Sequence, residues 1–148
     1  MESAYGKGVI FLSRLIREAN DLLKSGGFEY AFCGGQAIDL FLGYESRVHG
    51  DIDISSYWKD SDRIILYIQS QGFFVYEMLG GGRAHRITDV SKQMYEKRNI
   101  FCYKENCPLV KTYPHDENDC CRISPLRSVC SINLRIRNVR AACLLQVV

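Results

Sequence analysis

The stretch Phe32-Cys33-Gly34-Gly35-Gln36-Ala37-Ile38-Asp39-Leu40-Phe41-Leu42-Gly43, followed after a short polar loop by Arg47-Val48-His49-Gly50-Asp51-Ile52-Asp53-Ile54, sets the fold of this 148-residue chain. Phe28 to Cys33 predicts a short strand rich in aromatic residues; Gly34-Gly35 breaks it, and Gln36 to Leu42 predicts a short helix stopped by Gly43. Asp51-Ile52-Asp53-Ile54 alternates with period two. On a strand, residues i and i+2 project from one face, so this spacing sends Asp51 and Asp53 to one side and Ile52 and Ile54 into the core. Two carboxylates held so close raise each other's proton affinity unless a cation sits between them. Hard oxygen donors on a rigid strand suit Mg2+, which takes one or two protein carboxylates and leaves the rest of its shell to water and phosphate. An Asp-x-Asp by itself is more often a solvated strand edge, and the preceding segment is what changes the balance. At Gly34-Gly35, between strand and helix, the absent side chains let a phosphate reach backbone N–H groups at the helix N-terminus.

Working outward, Ile10, Leu12, Leu15, Ile16, Ala19, Leu22 and Leu23 recur at three- and four-residue spacing and predict a helix over about 7–24, ended by Gly26-Gly27. C-terminal to the Asp-x-Asp, Ile64, Ile65, Leu66 and Ile68 predict a second amphipathic helix, capped by Asp60 or Ser61 and stopped by Gly72. Phe73 to Met78 and Arg83 to Ile87 read as the arms of a hairpin turned at Gly80-Gly81-Gly82. Asn99 to Tyr103 reads as one more strand, and Ser131 to Arg137 alternates like a strand with a basic face. The order predicts a mixed α/β (α+β) domain, a small mixed β-sheet flanked by helices, over residues 1–114. Residues 115–148 form an atypical Cys- and Arg-rich segment rather than an independent domain.

Composition sets the bounds on function. With 47% apolar and 24% charged residues, the chain has the balance of a globular protein. No apolar run reaches the roughly 18 residues that cross a bilayer, and no signal peptide is evident, so a cytoplasmic address without membrane contact is expected. Residues 1–119 hold 14 Lys and Arg against 17 Asp and Glu, while 120–148 hold five Arg and no acid. The net charge of +2 is too small to argue for nucleic acid, although the Arg-rich tail admits an RNA-binding reading. Seven cysteines, an odd number, point to reduced thiols rather than a disulfide framework. Cys102, Cys107, His115, Cys120 and Cys121 lack the paired spacing of zinc modules.

Gly34-Gly35-Gln36-Ala37-Ile38-Asp39 with Arg47-Val48-His49-Gly50-Asp51-Ile52-Asp53 resembles the signature of the DNA-polymerase-beta-like nucleotidyltransferase superfamily. It is most similar to the small antibiotic nucleotidyltransferases of the aminoglycoside and lincosamide type. The resemblance implies a nucleotidyltransferase-like fold and transfer of an NMP group from an NTP, expected to be ATP, to a hydroxyl. A small-molecule acceptor is favoured over nucleic acid. It assigns Gly34 and Gly35 to the triphosphate, and Asp51 and Asp53 to catalysis as holders of Mg2+. Arg47 becomes a candidate phosphate contact, since a guanidinium fork matches phosphate oxygens; a solvated loop charge is the alternative. His49 is read as orienting the loop by a hydrogen bond, and Asp39 as either a surface or a supporting residue. Active members carry a third carboxylate on a later strand, for which Asp89, Glu105 and Asp116 are the candidates in falling order. None of these lies within a strand, so the alternative is a catalytically impaired nucleotide-binding or regulatory module that keeps the fold. The length leaves little room for an acceptor-binding helical domain, and a homodimer is therefore expected.

Overall fold

A computed structural model describes residues 13–92, 99–104, 110–112, 116–125 and 131–137. Helix α1 runs Arg14–Gly26, and the Ser13 hydroxyl caps its N-terminus by accepting from the Ile16 amide at 3.2 Å. Strand β1 (Tyr30–Cys33) leads directly into helix α2 (Gly34–Leu42). Gly43 ends α2 in the left-handed conformation, φ 77°, with its amide bonded to the Asp39 carbonyl. Strand β2 covers Asp51–Tyr57, three residues longer than the alternation alone predicts. After a 3-10 turn at Trp58–Asp60 comes helix α3 (Ser61–Ser70), then strands β3 (Phe73–Gly80) and β4 (Arg83–Arg86) as a hairpin. Strands β5 (Ile100–Lys104), β6 (Val110–Thr112), β7 (Cys120–Pro125) and β8 (Ser131–Arg137) complete the set. Residues 7–12, the first third of the predicted N-terminal helix, lie outside the described residues.

The strands follow the order β1-β2-β8-β5-β3-β4-β7-β6. The β2–β8 pairing is parallel and the other described pairings are antiparallel, so the sheet is mixed, as the element order predicts. The sequence alone did not predict β6 and β7, nor the placement of β8 between β2 and β5. Such pairings are non-local, and a strand's alternation reports its faces but not its neighbours.

The two faces of the sheet differ. On one, Ile16, Ala19 and Leu23 of α1 and Ile64, Ile65 and Ile68 of α3 pack with Ile52, Ile54, Val75, Ile100 and Cys102 into the main core. On the other, Tyr76, Ala84, Phe101, Tyr103 and Cys121 form a smaller cluster, in which the Tyr76 and Tyr103 rings stack at 5.8 Å between centroids. Since Ile52 and Ile54 belong to the main core, the alternation of β2 turns Asp51 and Asp53 to the opposite face. Helix α2 sets Ala37 and Leu40 against the main core, yet its most deeply buried residues are polar. Its buried residues are Gln36 and Asp39, while Ile38, Phe41 and Leu42 are exposed.

Candidate active site

The β1–α2 turn meets the start of β2. In the antiparallel pairing of these strands, Cys33 is the register partner of Asp53, so the residue just before Gly34-Gly35 lies beside the second carboxylate. The Ser55 hydroxyl donates to Cys33 Sγ at 3.4 Å along the same edge. Gly34 has φ +67°, and a Cβ there would collide with the Asp53 carboxylate. Glycine is required at this position on two counts: the left-handed backbone, and the approach of a carboxylate to the first turn of α2. Asp51 is exposed and Asp53 half-buried on the strand face away from the core. Carboxylates on one strand face, reachable from solvent and adjoining a helix N-terminus, are a donor set that fits Mg2+ carrying phosphate.

Gly35 has a different neighbour. A Cβ there would meet the His49 ring, 2.8 Å from Nδ1, and the Arg47 guanidinium, 3.0 Å from Nη2. The structure thus brings Gly34, Gly35, Arg47, His49 and Asp53 together at the start of α2, with Asp51 two residues before Asp53 on the same face of β2. Arg47 is exposed while His49 is buried. The His49 Nε2 lies 2.6 Å from Asp39 Oδ2, and Asp39 Oδ1 accepts from both the amide (3.1 Å) and the hydroxyl of Ser46. The Ser46 hydroxyl lowers the Asp39 pKa; burial opposes this, and the Ser46 amide and His49 add to the lowering. Sequence reasoning left Asp39 between surface and support. The available signal was a carboxylate three residues after Gln36 on a short helix with little apolar periodicity at its buried positions.

Two of the candidates for a third carboxylate, Asp89 and Asp116, do not join the pair. Asp89 accepts from the amide and hydroxyl of Ser91 in the turn after β4. Asp116 accepts from the Asn118 and Cys120 amides at the entrance to β7. Strands β4 and β7 lie four and five places from β2 in the sheet; at about 4.8 Å per strand that is roughly 19 and 24 Å. Glu105 lies outside the described residues. The strand next to β2 is β8, and it holds Asn133 at the register position of Asp53 and Ser131 at that of Asp51. Among the described residues, no group of three or more His, Cys, Asp or Glu is placed to hold a metal ion.

The family model for aminoglycoside-2''-adenylyltransferases matches residues 15–102. The chain belongs to this family. The matched span contains the β1–α2 turn, the 43–50 loop and the Asp-x-Asp strand, the parts that converge in the structure. Among solved structures, that of the lincosamide antibiotic adenylyltransferase LnuA with lincomycin bound is similar to this chain. Identity is 16% and the TM-score 0.42, over 79% of this chain and 80% of that one. No curated protein matches. Among the described residues, no helix is long and apolar enough to cross a membrane.

Proposed function

We propose that this chain transfers an NMP group from an NTP, with ATP as the expected donor, to a hydroxyl of a small-molecule acceptor, releasing pyrophosphate. The observation that carries this reading is the approach of the Asp53 carboxylate to Gly34 at the N-terminus of α2, within the span matched by an adenylyltransferase family. The amides of the first turn of α2 offer donors to the triphosphate, and Arg47 adds a cation where its guanidinium borders Gly35. Asp51 and Asp53 would hold Mg2+, which when bound neutralises phosphate charge and polarises the phosphoryl group under attack. The chain's own contribution is positional. It holds the Asp53 carboxylate against the first turn of the helix, and burial of Ile52 and Ile54 in the core keeps Asp51 and Asp53 on the opposite face of the strand.

A second reading is favoured by one observation, the Asn133 amide residue at the register position of Asp53. An amide cannot accept a proton from an attacking hydroxyl, so this reading keeps nucleotide binding and loses turnover. General-base contributions are typically about 10²–10⁴-fold, enough to separate an efficient enzyme from a binding module. Incubation with labelled ATP, Mg2+ and a panel of aminoglycoside and lincosamide acceptors tests the first reading. A labelled acceptor supports it. ATP binding without product in any arm supports the second.

A further inference from the structure

Helix α2 packs Ala37 and Leu40 against the main core, but its two fully buried positions are polar, Gln36 at 2% exposure and Asp39 at 1%, whereas Ile38 at 59% and Phe41 at 79% face outward. A helix placed only to seal a core would bury its apolar residues, since a buried carboxylate costs several kcal/mol unless it is paired and hydrogen-bonded. Here every buried polar group has a partner. Gln36 Oε1 accepts from the Ser13 hydroxyl that also caps α1. The two oxygens of Asp39 are divided between Ser46 and His49. The second and larger of these connections crosses from the middle of α2 to both ends of the Ser46–His49 segment, the stretch that carries Arg47.

We propose that Asp39 is a positioning residue of the nucleotide site. By fixing Ser46 and His49, it holds the 46–49 segment so that the His49 ring and the Arg47 guanidinium stand over Gly35. The inference rests on the nucleotide reading above and adds a residue that touches neither phosphate nor metal. Four observations converge on it. The carboxylate is fully buried and bonded on both oxygens. The ring it holds is itself buried. That ring comes within van der Waals distance of Gly35, with Nδ1 2.8 Å from where a Cβ would be, which leaves room for glycine alone. Arg47 lies between the two anchored residues, so its backbone has little freedom to withdraw. An ordered loop presents its guanidinium at low entropic cost, because the order is already present before the ligand arrives.

Asp39→Asn keeps the shape and removes the charge, and Ser46→Ala removes one hydroxyl hydrogen bond to the carboxylate while leaving the carboxylate itself and the Ser46 amide bond in place. Two measurements apply to both variants. Isothermal titration with Mg·ATP is expected to show affinity about 10-fold or more weaker for Asp39→Asn, the usual scale when a residue that orients a ligand group is lost, with a smaller loss for Ser46→Ala. The 15N spectrum of the His49 imidazole, taken without nucleotide, is expected to show one tautomer protonated at Nε2 in the parent chain and a mixture in Asp39→Asn. Parent-like ATP affinity in a folded Asp39→Asn variant would overturn the inference and leave the nucleotide reading intact. An unchanged imidazole spectrum would overturn it as well. Failure of the parent chain to bind Mg·ATP would overturn the nucleotide reading itself, and with it this role for Asp39.

Discussion

Asp53 on β2 and Asn133 on β8 are register partners across the parallel strand pair at the centre of the candidate site. On the nucleotidyl-transfer reading proposed above, a further acid beside the carboxylate pair would complete the site, and the residue at the register position of Asp53 is Asn133. Replacing the amide by an acid tests whether that single position limits turnover. Asn133→Asp is expected to raise the rate of pyrophosphate release at saturating Mg·ATP and acceptor by about tenfold or more, a part of what a general base contributes. An unchanged rate together with unchanged Mg2+ affinity contradicts the prediction.

Gly34 and Gly43 both have positive φ, 67° and 77°, but only Gly34 has a neighbour that a methyl group would strike. Each change to Ala carries a backbone penalty of about 1–2 kcal/mol. Urea denaturation should therefore report similar destabilisation from that source in the two variants. Mg·ATP binding should be lost or weakened more than about tenfold in Gly34→Ala only, since the added methyl displaces the Asp53 carboxylate by the full width of a contact. Equal binding by both variants contradicts the site.

Cys33 and Cys102 differ in accessibility. Cys33 is partly exposed and is the register partner of Asp53, whereas Cys102 is buried in the main core and burial pushes its thiol up to about 12. Alkylation followed by peptide mass mapping should modify Cys33 in the native chain and spare Cys102 until denaturant is added. Mg·ATP should slow the modification of Cys33. Labelling at a rate independent of nucleotide would place the ligand elsewhere.

The Asp39 carboxyl is held below the ordinary carboxylate range, first by the Ser46 hydroxyl. A depressed carboxylate contributes stability that is fully present above its unfolded pKa, about 3.9, and is lost as pH falls through the folded value. The stability gap between the parent chain and Asp39→Asn should accordingly be constant above about pH 5 and narrow below about pH 4. Denaturation curves across that range check this. A gap that does not change with pH contradicts it.

Much of this was legible in the residues. Gly34-Gly35 announces a strand-to-helix turn because only glycine tolerates it, and the Asp-Ile-Asp-Ile alternation assigns each β2 side chain to a face without further information. The core stripe of α1 and α3 is equally local, a matter of spacing along one helix. What escaped depends on distant partners. Asp39 reads as an ordinary helix residue until Ser46 and His49 are folded back onto it. Asp89 and Asp116 looked like possible third acids in a linear sequence, and only the strand order carries them away from β2. Ser131 to Arg137 showed its alternation plainly, but nothing in it specified Ile52 and Asp53 as neighbours, because register is chosen by the whole sheet.

The central claim is that Gly34-Gly35 and Asp51-Asp53 form one Mg2+-nucleotide site. Titration of Mg·ATP into the 15N-labelled chain, followed residue by residue by NMR, tests it most directly. Saturable shifts at the amides of Gly34, Gly35, Asp51 and Asp53 that disappear when Mg2+ is removed are the predicted result. No response at these four amides, at concentrations well above those at which nucleotidyltransferases work, would contradict it.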